Sequence, residues 1–136
     1  MLTVQSEGTI PDTQIKPNRS TGGYGFFQNS LVHWMLIAAC FLNVGTWLAM
    51  AFFVRPVDYP IILHYNVYFG VDIMGDWWQA YSLPGVALVF LLINLSMAYT
   101  FYARKERIAA YLFLIAAFFV QLGITIASAT IIRINY

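Results

Sequence analysis

Side chains that could bind a metal ion or transfer protons are few in this sequence, and four of them lie close together in its middle. They are His64, Asn66, Asp72 and Asp76. One imidazole and carboxylate oxygens can hold a cation, but this spacing matches no established metal motif. Asn and Asp beside Gly are also the usual residues of turns. We therefore expect no metal centre, and expect His64, Asn66 and Asp72 to shape a loop that contacts a partner or ligand.

A second histidine, His33, lies beside Trp34 at the start of a long apolar segment. In a membrane protein, an isolated histidine is a candidate axial ligand for a haem or another pigment. A haem held by two histidines needs both at one depth, and His64 is expected on the opposite side of the membrane. The preferred interpretation is that His33 and Trp34 anchor a helix at the membrane surface. No cofactor is predicted, and a bound pigment or lipid is the alternative.

Three carboxamide side chains, Asn43, Asn94 and Gln121, lie near the centres of three long apolar segments. Polar groups at the centre of a bilayer usually face other helices. We expect the three to share one depth and to hydrogen-bond between helices, within this chain or to a partner; a polar ligand site is the alternative. The third segment also carries Gly123 and Ala127, a small-residue pair that permits close helix packing.

The residue types give no support for covalent catalysis. Cys40 is the one cysteine, so an internal disulfide is excluded, and it lies in an apolar segment with no base nearby. Ser30 and Ser82 have no evident His and Asp partners. We expect the protein not to be an enzyme.

The elements that must position these side chains are long apolar helices. Hydrophobic residues make up 60% of the chain and charged residues 10%, whereas about 25% of a soluble domain is charged. Residues 31–54, 83–103 and 108–132 contain no Asp, Glu, Lys or Arg. About 20 apolar residues suffice to cross a bilayer as a helix. The sequence therefore predicts an all-α integral membrane protein with three transmembrane helices.

Basic residues beside these segments predict the orientation, because cytoplasmic ends carry the excess of Lys and Arg. With the N-terminus inside, the cytoplasmic set is Lys16, Arg19, Arg104, Lys105 and Arg107, and the outer set is Arg55 and Arg133. We expect a multi-pass protein of the plasma (inner) membrane, with a cytoplasmic N-terminus and an extracytoplasmic C-terminus. The net charge of +1 gives no electrostatic basis for binding nucleic acid.

The remaining residues divide into an arm at 1–30, an outer loop at 55–82, a tight charged turn at 104–107 and a C-terminus at 133–136. The arm is rich in small polar residues, Gly and Pro and has no helical periodicity, which predicts an extended cytoplasmic arm. It leads to Phe26 and Phe27, which we expect to dock at the membrane surface.

The outer loop contains an alternating pattern over residues 61–69. The apolar set is Ile61, Leu63, Tyr65, Val67 and Phe69, and the polar side carries His64, Asn66 and Tyr68. A period of two predicts a short extended segment lying over apolar surface. Gly70 then permits a turn, and Trp77 and Trp78 re-enter at headgroup depth, where indole rings are favoured. We expect a folded outer loop in which both tryptophans belong to the contact surface.

The outer loop also resembles a domain of unknown function in bacterial multi-pass membrane proteins of the sporulation-delaying-toxin immunity type. The residues that carry the resemblance are Pro60, His64, Tyr65, Asn66, Gly70, Asp72 and Gly75, followed by a helix that starts with a proline. Leu63 stands where that domain has a proline, and the further helices of those proteins are missing. The resemblance implies a bacterial envelope protein with a structured outer loop.

Three functions fit these observations. The first is a small, non-catalytic accessory or structural subunit of a larger membrane complex, which binds other membrane protein subunits through its arm, helices and outer loop. The second is a separate envelope protein whose outer loop recognises a peptide or toxin. The third is a pigment- or lipid-binding subunit that uses His33 or aromatic grooves. Membrane lipids are partners in all three.

Overall fold

The computed structural model describes residues 24–136, which are mostly helical. Its elements are α1 (Tyr24–Gln28), α2 (Ser30–Phe53), β1 (Ile61–Asn66), β2 (Gly70–Gly75), a 3-10 helix (Trp77–Tyr81), α3 (Ser82–Ala103) and α4 (Arg107–Asn135). Most of the predicted arm, up to residue 23, lies outside the described residues. The two strands form an antiparallel hairpin. We call the end of the helix bundle that carries this hairpin the hairpin end, and the other end of the bundle the opposite end.

Three helices in this part of the chain are long and apolar enough to cross a membrane: Ser30–Phe53, Trp77–Ala103 and Arg107–Asn135. The predicted set of three long apolar helices is therefore confirmed. α4 continues past residue 132, where the apolar segment ends, to Asn135. In this last turn, the side chain of Asn135 bonds to β1.

The ends of the helices follow from local sequence. Asn29 caps α2, since its side-chain oxygen accepts from the backbone N–H groups of Leu31 at 3.0 Å and Val32 at 3.5 Å. Lys105 has a φ of 67°, in the left-handed region, and the N–H of Glu106 donates to the carbonyl of Phe101 at 3.0 Å. This is the hydrogen-bonding pattern of a Schellman motif, and it ends α3 so that α4 can return beside it.

α4 is the central helix of the bundle, because it packs along both α2 and α3 while those two touch little. Many of the residues buried between the three helices are small: Ala39, Ala87, Ala98, Ala110, Ala117 and Ser128. Large apolar side chains point outward instead, as with Phe41 (76% exposed) and Phe52 (72% exposed). Small residues inside and large ones outside are typical of helices that pack in lipid.

The opposite end is held by the start of the described chain. Phe26 is fully buried, with its ring against Tyr99 and Tyr102, while Phe27 is 55% exposed. The expectation that both phenylalanines dock at a membrane surface is therefore wrong for Phe26. The aromatic side chains of α3 offer Phe26 a protein pocket, and α1 gives the last residues of the predicted arm a helical turn.

The hairpin end is held by Asn135 and Tyr81. The Asn135 carboxamide accepts from the N–H of Ile62 and donates to its carbonyl, both at 2.7 Å. The Tyr81 hydroxyl lies 3.2 Å from the carbonyl of Met50 and so bonds the end of α2. Ile61 is buried in the same cluster as Met50. The hairpin is thus attached to the bundle by side-chain hydrogen bonds and by apolar packing.

The hairpin differs from the single extended segment that the alternating pattern predicts. β1 ends at Asn66, residues 67–69 form the turn, and Gly70 has a φ of 79°, a conformation that favours glycine. β2 then pairs back along β1, with irregular register around His64. Ile61 and Leu63 do pack over apolar surface, but the remaining apolar residues of the pattern are largely exposed.

We expect Asn135→Ala to loosen the hairpin, because it removes two hydrogen bonds between α4 and β1. Amide hydrogen exchange of the purified protein should be about tenfold faster in β1, while the helix centres are unchanged. Tyr136→Phe is the control, since the Tyr136 hydroxyl donates to the carbonyl of Arg55 at the same end and does not touch β1. Equal protection of β1 in Asn135→Ala and in the unaltered protein would contradict this attachment.

Candidate functional site

A polar layer joins the three long helices in the middle of the bundle. Asn43 of α2 is 4% exposed and Gln121 of α4 is 1% exposed. Asn43 Nδ2 donates to Gln121 Oε1 at 3.0 Å and lies 3.3 Å from the carbonyl of Pro84, in the first turn of α3. Gln121 Nε2 donates to the carbonyl of Ala87 at 2.7 Å. Two buried carboxamides therefore connect α2, α3 and α4.

Two threonines continue the layer toward the hairpin end. The hydroxyls of Thr46 and Thr125 lie 2.8 Å apart, and each also lies 2.8 Å from the carbonyl four residues earlier in its own helix. The layer holds amides and hydroxyls but no titratable side chain. Its chemistry is hydrogen bonding between helices, as predicted for Asn43 and Gln121.

Asn94 does not join this layer. Its Nδ2 donates to the carbonyl of Phe90 at 2.9 Å, within α3. Asn94 follows Ala87 by seven residues, which is about 10 Å along a helix. The structure therefore brings Asn43 and Gln121 together and places Asn94 at another depth. The reason is that Asn43 and Gln121 meet α3 near its start rather than at its centre.

The small-residue pair on α4 also differs from the expectation. A Cβ atom built on Gly123 has nothing within 4 Å, and Ala127 is exposed. Within the described chain, these two residues therefore form no close helix contact. Ser128, next to them, is 1% exposed and faces the bundle.

His64 and Asp72 meet on one face of the hairpin. His64 Nδ1 and Asp72 Oδ1 are 2.7 Å apart, with side chains 58% and 39% exposed. The register brings them together: His64 pairs with Ile73 and Tyr65 with Val71, so Asp72 bulges beside the imidazole. Exposed ion pairs contribute about 0–1 kcal/mol. This pair orients two polar side chains more than it stabilises the fold.

The other polar residues of the hairpin region shape its turns. Asn66 Oδ1 accepts from the N–H of Tyr68 at 2.9 Å, as an Asx turn does. Asp76 precedes the 3-10 helix, and its carbonyl accepts from the N–H of Gln79 at 3.0 Å. Among residues 24–136, no three His, Cys, Asp or Glu side chains lie together as a metal site would require.

The tip of the hairpin is a surface that the sequence pattern did not reveal. Val67 is 84% exposed, Tyr68 90% and Phe69 85%. The alternating pattern predicts Val67 and Phe69 to be covered, but the Asx turn at Asn66 and the left-handed Gly70 reverse the chain there. The signal for this tip is the Asn66-to-Gly70 spacing, in which turn residues flank three apolar ones.

The tryptophan candidates lie at the hairpin end and His33 at the opposite end. Trp77 packs against the buried cluster at the hairpin end and lies edge-on to Tyr81. Trp78 is 57% exposed and so offers a contact surface. His33 is exposed on the first turns of α2, at the opposite end from His64.

We predict that Asn43 and Gln121 are energetically coupled, and that the coupling is small. In a double-mutant cycle of Asn43→Ala and Gln121→Ala, unfolding in detergent should give a coupling of about 0.6 kcal/mol and not above about 2 kcal/mol. Asn94→Ala, combined with Gln121→Ala, is the matched control and should be additive. Additivity of the Asn43 and Gln121 variants would show that their hydrogen bond does not link the helices.

The described residues thus contain an internal polar layer and, at the hairpin end, an exposed apolar tip beside a polar pair. The chain matches no family model, no curated protein and no solved structure.

Proposed function

We propose that the protein is a non-catalytic subunit of a larger membrane complex and binds a partner protein through the tip of its hairpin. The three long apolar helices cross the plasma membrane, with a cytoplasmic N-terminus. Arg104, Lys105 and Arg107 flank the helices at the opposite end, and Arg55 and Arg133 at the hairpin end. This difference favours a cytoplasmic opposite end and an outer hairpin end.

The observation that carries the proposal is the tip itself. Val67, Tyr68 and Phe69 are consecutive, apolar or aromatic, and each at least 84% exposed. Burying apolar surface yields roughly 25 cal/mol per Å². Aromatic residues are enriched at the centres of protein interfaces, where a few side chains supply most of the affinity. A partner protein that covers these three residues would bury them at the centre of the interface.

The support beneath the tip favours binding as well. β1 is fixed to α4 by Asn135 and to α2 by shared packing around Met50. A tip held in one position loses little conformational freedom when a partner binds, and this raises affinity. A flexible tether would lack this advantage.

The contacts of His64 and Cys40 are those on which the proposed non-catalytic role rests. His64 bonds to Asp72 and, among residues 24–136, to no serine, threonine or cysteine side chain. Cys40 is exposed on α2, in the apolar part of the chain. Nothing in this part of the chain arranges a nucleophile beside a base.

Recognition of a peptide or toxin by a separate envelope protein is the second candidate. The paired His64 and Asp72 favour it, because they present a charged, directional contact beside the apolar tip. In that case His64→Ala and Asp72→Ala abolish protection against the peptide while the fold remains intact. A subunit that binds through the tip keeps its complex in both variants.

The test of the tip is a triple variant, Val67→Ser with Tyr68→Ser and Phe69→Ser. Purified from its native membrane in mild detergent, the unaltered protein should run as a complex of defined mass. The triple variant should lose it, with affinity for the isolated partner reduced about 100-fold or more. Ile108→Ser is the matched control, because Ile108 is 80% exposed at the opposite end and should leave the complex intact.

A colourless, partner-free protein from the native membrane would overturn the subunit proposal. A visible absorbance band that is lost in His33→Ala would replace it with pigment binding, since His33 is the exposed imidazole on α2. Both readouts come from the same preparation.

A further inference from the structure

A groove of about 240 Å³ runs between α2 and α4 near the hairpin end. We propose that it binds one glycerophospholipid with a negatively charged headgroup, with an acyl chain in the groove and the phosphate at Arg133 and Arg55. The inference rests on the proposed membrane insertion but not on partner binding by the hairpin tip.

The shape of the groove fits a thin apolar chain. Six of its nine lining residues are small: Gly45, Thr46 and Ala49 on α2, and Thr125, Ser128 and Ala129 on α4. An acyl chain, which is one methylene wide, can enter it.

Ser128 adds an unused polar group to this groove. Its side chain is 1% exposed, and its Oγ is the one buried side-chain oxygen or nitrogen of the described chain that lacks a hydrogen-bond partner. Thr125 and Thr130, on the same helix, bond to carbonyls four residues earlier. A buried hydroxyl without a hydrogen-bond partner is unfavourable. Ser128 lines the groove, and rotation of its side chain toward the groove would let the hydroxyl donate to an acceptor oxygen of a ligand there.

The charge at the mouth of the groove is positive. Arg133 lines the groove, and Phe53 lines both it and an adjoining pocket that includes Arg55. Both arginines are exposed. Within the described residues, neither has a carboxylate oxygen within 4.0 Å. Two such guanidinium groups suit a phosphate, which accepts charge-assisted hydrogen bonds from them.

The spacing of Ser128 and Arg133 matches the order of groups in such a lipid. They are five residues apart on α4, which is about 7.5 Å along the helix. The ester carbonyls of a glycerophospholipid lie on the hydrocarbon side of its phosphate. A phosphate at Arg133 therefore places an ester carbonyl toward Ser128, and the acyl chain continues between the small residues.

The test uses native mass spectrometry of the full chain in mild detergent, with phosphatidylglycerol or phosphatidylcholine of the same acyl chains added. We expect one phosphatidylglycerol per chain, bound about tenfold more tightly than phosphatidylcholine. Arg55→Gln with Arg133→Gln should remove this preference. Arg104→Gln, the same change at the opposite end, should leave it intact.

The groove is tested separately from the charges. Gly45→Leu should fill it and weaken phosphatidylglycerol binding about tenfold; the Cβ of the new side chain would lie in open space, with nothing within 4 Å. Gly123→Leu is the control, because Gly123 is equally open but lies outside the groove. Ser128→Ala should weaken lipid binding about threefold without lowering the unfolding temperature of the lipid-free protein.

Equal binding of both lipids, or binding that is unchanged by Gly45→Leu, would overturn the site and identify any retained lipid as part of the general lipid shell. The triple serine variant of the hairpin tip should bind phosphatidylglycerol like the unaltered protein. Loss of the protein partner and loss of the lipid are thereby distinguished.

Discussion

The arrangement of the three long helices depends on one buried side chain, Gln121. It lies on the central helix and bonds to Asn43 on one side and to the carbonyl of Ala87 on the other. Each such bond contributes only about 0.6 kcal/mol, but a carboxamide left unpaired in an apolar interior is costly. Rotating or sliding α2 or α3 would leave Gln121 unpaired. The layer therefore specifies the packing more than it stabilises it.

The position of the hairpin depends on the same face of α4 that carries Gln121. Asn135 lies fourteen residues after Gln121, which is nearly four turns and about 21 Å along α4. Both side chains consequently lie on nearly the same face, with Thr125 between them. The face that fixes α2 and α3 in the middle of the bundle thus holds β1 at its end. Helix α4 thereby connects the polar layer to the hairpin whose tip is proposed to bind a partner.

The sequence predicts the long helices well because absence of charge over twenty or more residues is a strong and local signal. It predicts one shared depth for three carboxamides, and the structure brings together Asn43 and Gln121 but not Asn94. The position of a residue within an apolar segment does not show where helices that are offset along their axes meet. The sequence does not indicate β2, because residues 70–75 show no alternation and the pairing is irregular. It does not indicate the exposed tip, because a period-two pattern does not show where a strand ends. Nor does it indicate the role of Asn135, which needs a contact with a strand residue 73 positions away.

The two proposed surfaces are joined by the helix ends that they share. The groove lies between the last turns of α2 and α4, and the hairpin is attached to those same turns through Met50 and Asn135. A lipid in the groove would fill space between the two helices and limit their relative motion. The hairpin, which is attached to both, would lose freedom with them. The lipid and the partner protein would each favour the more ordered state of these helix ends. Each would therefore raise the affinity of the protein for the other, and by thermodynamic linkage both affinities would rise by the same factor. A membrane subunit of this construction would present its tip most rigidly when its lipid is bound.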